Sequence, residues 1–156
     1  MSDRILVTLD GSVASEAALL YMEKLVPKLS SRQKPEVILM TVVTRPVEYS
    51  VIEGQTVETS LPDEGYEDMK REMMDYLQQS AERLRRKGLD VTCRVLEDND
   101  KGPADAIIEA EKELDINLVV MSSHGRRGIT RWAYGSVTDR VLQAGGVPVL
   151  MVRACR

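Results

Sequence analysis

The sequence predicts an α/β fold: a single doubly wound domain over residues 1–156, with a five-stranded parallel sheet in the order 3-2-1-4-5 and helices on both faces. Three observations lead there. Short apolar, β-branched runs alternate with segments of helical period, the pattern of a parallel sheet covered on both sides. Residues 122–136, rich in small and flexible side chains, stand between the apolar run 117–121 and the helix-like run 137–144. A chain of 156 residues suits one core, since at that size about 68–70% of the unfolded surface can be buried.

Strand 5–9 comes first and ends at the turn-forming Asp10-Gly11-Ser12. Ser12 suits an N-cap, and Ala14, Ala17, Ala18, Tyr21, Met22 and Leu25 then mark the apolar face of a helix. Pro27 or the polar run 30–33 ends that helix. Residues 36–43 are almost all apolar, which predicts a central strand. Residues 44–64 hold Pro46, Gly54, Pro62 and several acids without a clear period, and read as a long loop with local turns. Such a length points to a functional or mobile segment. Tyr66, Met69, Met73, Leu77, Ala81 and Leu84 recur at helical spacing as far as Lys87-Gly88. Strand 90–96 alternates polar and apolar residues, as a strand near a sheet edge does. Gly102-Pro103 opens a third helix with Ala106, Ile107, Ala110 and Leu114 inward, the proline standing where a missing N–H costs least. Strand 117–121, the glycine-rich segment, helix 137–144 and strand 147–152 complete the alternation.

Hydrophobic residues make up 43% and charged residues 29%, the balance of a soluble globular domain rather than a disordered chain. Phenylalanine is absent, so the core is aliphatic. A net charge of −4 argues against a dedicated nucleic-acid binder. The opening residues lack the layout of a signal peptide, no run approaches the roughly 20 apolar residues of a membrane span, and Cys93 and Cys155 make no disulfide framework. A cytoplasmic, reducing location is expected.

In the order 3-2-1-4-5 the switch point lies between the first and fourth strands, so Asp10-Gly11-Ser12 and residues 122–125 meet at neighbouring carboxyl ends. Backbone N–H groups at a strand-to-helix handover, beside the positive end of a helix dipole, suit phosphate oxygens. The common phosphate motifs, Gly-x-x-x-x-Gly-Lys-Ser/Thr and Gly-x-Gly-x-x-Gly, are absent. Asp10-Gly11-Ser12 serves equally as a strand-ending turn with a helix cap, and Gly135-Ser136 equally as a plain helix start. Arg126 and Arg127, with Arg131, either neutralise phosphates or are simply solvated. His124, the lone histidine, sits beside Ser123 in a turn, where adjacent side chains rarely aim at each other, so no catalytic residue is nominated. One histidine and two distant cysteines make no transition-metal site. The cluster Arg83, Arg85, Arg86 and Lys87 falls at a helix C-terminus, which the dipole explains. Trp132 either covers the site or packs under the last helix.

Residues 122–136 resemble the signature of the universal stress protein family, Gly-x-x-Gly, nine residues, then Gly-Ser/Thr. Gly125, the nine residues 126–134, Gly135 and Ser136 match it, while Ser122 stands where the first glycine belongs. The resemblance runs from Asp10-Gly11-Ser12 to Pro148-Val149-Leu150-Met151-Val152-Arg153. It implies that ATP or another adenine nucleotide binds, with Asp10 beside the ribose or the phosphate–metal region. Val42 would meet the adenine edge through its backbone and Met121 would approach the ribose. Gly125, Gly135 and Ser136 would surround the phosphates. Magnesium would arrive on those phosphates, with Asp10 as its carboxylate.

The resemblance therefore implies a stress-response regulatory protein that switches with bound nucleotide and acts on a regulatory protein partner. The alternatives are a dimeric interaction protein of the same fold that binds no nucleotide, and a slow ATPase or phosphotransfer enzyme. A homodimer is expected through the apolar strand that opens on Val147 and closes on Val152, because at the sheet edge its unpaired backbone groups invite pairing with a second copy. Dimerisation through this strand is also what the resemblance implies. Leu150 and Met151 test its two faces, while the 44–64 segment is the rival cover for that edge.

Overall fold

Five of the apolar runs lie side by side in one parallel sheet, at the places their composition predicts. The computed structural model describes residues 3–28, 34–60, 62–98, 101–123 and 135–153. Its elements are β1 (Arg4–Thr8), α1 (Val13–Leu25), β2 (Glu36–Val43), β3 (Val47–Ile52), β4 (Gln55–Ser60), α2 (Asp63–Arg85), β5 (Asp90–Glu97), α3 (Pro103–Glu113), β6 (Leu118–Ser122), α4 (Ser136–Ala144) and β7 (Val149–Val152). The sheet order is β5-β2-β1-β6-β7, which is the expected 3-2-1-4-5 when the parallel strands alone are numbered. Ile5 stands between Val37 on one side and Leu118 on the other, so β1 is central.

Strand alternation divides the core into two layers. Ile5, Val7, Leu39, Val91 and Val120 face α1 and α2, meeting Leu19, Met22 and Leu77. Leu6, Ile38, Met40 and Val119 face α3 and α4, meeting Ile107, Ala110 and Val141. The helix ends follow their local chemistry. Ser12 caps α1 by accepting from Ser15 N, and Pro27 falls in the 3₁₀ turn Val26–Lys28 beyond it. Asp63 and Glu64 open α2, where acids complement the helix dipole. At its far end Arg83 pairs with Glu23 at 2.6 Å, and Arg85 donates to the Val91 carbonyl at 2.8 Å. That basic cluster is therefore engaged in packing α2 onto its neighbours. Pro103 is the first residue of α3, behind Gly102, whose N–H donates to Asp98 Oδ1 at 2.8 Å.

The 44–64 segment is not the irregular loop its composition suggests. β3 and β4 pair antiparallel from Val47 opposite Ser60 to Ile52 opposite Gln55, joined by Glu53-Gly54 with φ of 52° and 78°. Two successive left-handed residues make the two-residue turn whose twist matches a hairpin, and glycine accepts that φ without penalty. The pattern is obscure in sequence because every strand residue of the hairpin is exposed, so no inward-outward alternation marks it. The hairpin joins none of the five parallel strands.

β7 is shorter than the 147–152 run and pairs only with β6, Val149 opposite Val119 and Val152 opposite Ser122. Val119 N donates to the Pro148 carbonyl and Ser123 N to the Val152 carbonyl. Because backbone groups alternate along a strand, Val149 and Met151 turn their N–H and C=O outward, along the sheet edge. Leu150 packs against the α1–α2 layer, so a lysine there tests folding as much as the edge. The turn before β7 admits no side chain at Gly145: a Cβ would stand 2.6 Å from the Val141 carbonyl and 2.8 Å from Glu111 Oε1. Among the described residues no helix is long and apolar enough to cross a membrane.

Candidate functional site

The carboxyl ends of β1, β2 and β6 open on a cleft of about 100 Å³. Asp10 at the end of β1, Met40 to Val42 on β2, and Met121 and Ser122 on β6 line it, with Ile107 of α3 and Val137 of α4 above. It sits at the switch point, where one crossover leaves to each side of β1.

Asp10, Gly11 and Ser12 form a tight, self-bonded turn. Asp10 Oδ1 accepts from Ser12 N at 2.9 Å and from the Ser12 hydroxyl, whose oxygen in turn accepts from Ser15 N at 3.1 Å. Gly11 adopts φ 79°, a conformation a Cβ would oppose. The turn-and-cap role therefore accounts for these three residues locally, and it leaves Asp10 on the wall of the cleft. Ser15, which sequence reasoning missed, accepts from Asp10 N at 3.3 Å and donates to the Ser12 carbonyl at 2.9 Å. Its place three residues after the cap is the signal that could have found it.

Val42 lies two residues beyond Met40, the last partner of β1. Leu9 N donates to the Met40 carbonyl at 2.8 Å, so Met40 turns its backbone toward β1. Alternation turns the N–H and C=O of Val42 the same way, past the point where β1 has ended. Those two groups face the cleft as a donor–acceptor pair. The Met121 side chain is 4% exposed and packs in the α3–α4 core layer, while the residue also lines the cleft.

Ser122 and Ser123 hold the start of α4. The Thr138 hydroxyl donates to the Ser122 carbonyl at 3.1 Å, and Gly135 N donates to the Ser123 carbonyl at 3.2 Å. Gly135 is the N-cap of α4 and gives no side-chain cap, so Ser136 begins a helix whose first turn is uncapped by its own flank. Of these, Ser122 lines the cleft with Val42, and α4 reaches it through Val137. Gly125, Arg126 and Arg127, with His124, Arg131 and Trp132, lie outside the described residues. Among the described residues no group of three or more His, Cys, Asp or Glu side chains could hold a metal ion.

Tyr66 of α2 anchors the last residue of β2, outside the lining of the cleft. It is buried, its hydroxyl donates to the Val43 carbonyl at 3.3 Å, and the Arg45 guanidinium and Lys70 ammonium lie 4.5 and 5.1 Å from its ring centre. Burial pushes its pKa above the ordinary value, Glu97 adds to the rise, and Lys70 and Arg45 oppose it. Burial raises the Tyr76 hydroxyl and the Cys93 thiol in the same direction. Each group is neutral when protonated, so the folded chain holds these protons more tightly than the unfolded one. Stability is then fully present below each group's ordinary value, about 8.5 for the thiol and about 10 for the phenols, and falls as pH rises through it. Urea midpoints should drop between about pH 9 and pH 11. Tyr66→Phe together with Tyr76→Phe should flatten that drop; an unchanged slope would refute the assignment.

A model of the universal stress protein family matches residues 1–153. Universal stress protein YxiE of Bacillus subtilis is 30% identical over 155 residues, covering 98% of this chain and all 100% of the relative. Universal stress protein MJ0577 of Methanocaldococcus jannaschii is 25% identical over 159 residues, covering 98% and 96%. The solved MJ0577 structure matches with a TM-score of 0.75 at 20% identity, over 98% of this chain and 96% of that one. An AMP-bound member from Arabidopsis thaliana matches at TM-score 0.63 and 16% identity, over 98% and 92%. A universal stress protein in complex with cAMP matches at 0.67 and 19%, over 99% and 98%. Matched from residue 1 to residue 153, and folded as these structures are, the chain belongs to the universal stress protein family.

Proposed function

We propose that the cleft binds an adenine nucleotide, ATP included, and that the chain works as a dimeric regulatory switch. The observation that carries this is the outward-turned backbone of Val42, which offers one donor and one acceptor to a planar heterocycle beside the uncapped start of α4. Adenine presents a matching acceptor and donor on one edge. The first turn of α4 supplies N–H groups and partial positive charge for phosphates. The relatives bound to AMP and cAMP support the same ligand class. The enclosed part of the cleft, about 100 Å³, is smaller than the roughly 300–1,000 Å³ of drug-sized sites, so a nucleotide would lie largely across its mouth, with phosphates extending over Gly135 and Ser136. Magnesium fits as a passenger on those phosphates, since it keeps several waters and needs one or two carboxylates; Asp10 is the carboxylate on the cleft wall.

A second reading, a dimeric interaction protein without nucleotide, is favoured by Ser122. A buried serine occupies the first glycine position of the signature, where close backbone approach to a ligand is easiest without a Cβ. Calorimetry on nucleotide-stripped protein separates the two: absence of ATP binding at millimolar ligand leaves only the second. Hydrolysis should be slow in either case, well below about 1 per second, because among the described residues the carboxylate on the cleft wall, Asp10, is held in its own turn by Ser12. Magnesium-dependent turnover of several per second by pure protein would overturn that expectation.

A further inference from the structure

We propose that the β3–β4 hairpin is a docking arm that takes an extended, basic segment of a partner protein by strand addition. Nine large hydrophobic residues are exposed among the described residues, and five of them, Val47, Tyr49, Val51, Ile52 and Val57, lie on this hairpin. Tyr49 is 69% exposed and Val51 74%. Alternation places Val47, Tyr49 and Val51 in a row on one face, with Ser60, Glu58 and Thr56 opposite them across the ladder. A lone two-stranded ribbon is marginal in water, and a row of exposed β-branched and aromatic side chains adds to its cost. Both are relieved when a third strand lies against it.

Its edges are open to such a strand. The pairing runs one-to-one without a bulge, and 47–60 contains no proline and no lysine, the usual devices that keep an edge single. Charge then selects the occupant. Glu48, Glu53 and Glu58 are its only charged residues, and Glu64 follows in the first turn of α2. A second hairpin would bring the same acids against these, whereas lysines or arginines alternating with apolar residues beside β3 would place cations on the face of Glu48 and apolar side chains against the Val47-Tyr49-Val51 row. Glu58, on that row's face, adds to the attraction at longer range.

The arm is held firmly at its base. Arg45, just before β3, pairs with Asp63 at the start of α2 at 2.6 Å and lies over the Tyr66 ring. Tyr66 in turn bonds the last residue of β2 through its hydroxyl. The hairpin is thus presented from the rim of the sheet by groups that are not themselves part of the docking face. This assignment stands independently of nucleotide binding.

The probe is an acetylated, amidated, fluorescein-labelled Lys-Val-Lys-Val-Lys-Val-Lys peptide, titrated against the full chain at low salt. Expected are saturable binding, amide shifts in the nuclear magnetic resonance spectrum concentrated in 47–60, and weakening as salt is raised. Glu48→Lys combined with Glu58→Lys should weaken binding about tenfold or more with an unchanged circular-dichroism spectrum. Tyr49→Ser should weaken it at constant charge. Equal binding of a Glu-Val-Glu-Val-Glu-Val-Glu peptide, equal binding by the charge-reversed variant, or shifts lying elsewhere on the chain would each overturn the assignment. So would sedimentation showing that the hairpin substitutions dissociate the chain from a second copy, which would make the arm a self-interface.

Discussion

Replacing Gly135 with valine is expected to remove adenine-nucleotide binding while leaving the fold intact. Gly135 has φ −57° and ψ 149°, values open to any residue, so valine meets no backbone strain there. The N–H to the Ser123 carbonyl and the bond from Asp139 N to the Gly135 carbonyl are both main-chain and survive the change. What changes is the space in front of the first turn of α4, where the proposed phosphates need unobstructed N–H groups. A branched side chain there should weaken ATP binding by about a hundredfold or more in calorimetry, roughly 2.7 kcal/mol. Gly135→Ala should cost less, because a single methyl fills less of that space. Equal ATP binding by wild type and the Gly135→Val variant would move the phosphates away from α4. A native circular-dichroism spectrum and an unchanged melting temperature are required for either reading of the result.

Met151→Pro is expected to convert a homodimer into a folded monomer. The proposed interface is the free edge of β7, where Val149 and Met151 turn their N–H and C=O away from β6. Proline at 151 removes one outward donor and places a ring on the edge, but takes nothing from the ladder to β6. Val152→Pro is the contrasting change, because the alternation that points the Val152 carbonyl at Ser123 N points its N–H inward as well. That variant should lose stability rather than association alone. Sedimentation should show a dimer for the wild type at tens of micromolar and a monomer for Met151→Pro with an unchanged spectrum. A wild-type monomer at that concentration, or a dimer indifferent to Met151→Pro, would dismiss the β7 interface.

The rival cover for this edge fares poorly on topology. The 44–64 segment leaves from β2, which lies on the far side of β1 and β6 from β7, and its hairpin pairs with no strand of the main sheet. The edge and the hairpin are separate surfaces, so the two interaction proposals can fail independently.

The five parallel strands and four helices were legible from residues alone because their burial imprints a period on the sequence. β2 is apolar almost throughout since helices cover both of its faces, and α2 repeats its inward residues at helical spacing. Turn chemistry marked Asp10-Gly11-Ser12, Gly88 and Gly102 for the same local reason. The hairpin escaped because water lies on both of its sides, so burial left no alternation to read; only Glu53-Gly54 between β-formers betrayed it.

The site was legible only in outline. Residues 10–12 and 122–136 could be brought to one end of the sheet by a topology rule. That Val42 offers its backbone to the cleft depends on β1 stopping at Thr8 opposite Met40, a matter of register between segments more than thirty residues apart in the chain. The inward turn of Leu150 and the outward backbone of Met151 likewise follow from the pairing of β7 with β6. Periodicity is written in consecutive residues, so the sequence by itself determined which segments are strands and which are helices. Which backbone groups remain unpaired is settled where one strand ends before its neighbour, and only the tertiary structure decides that.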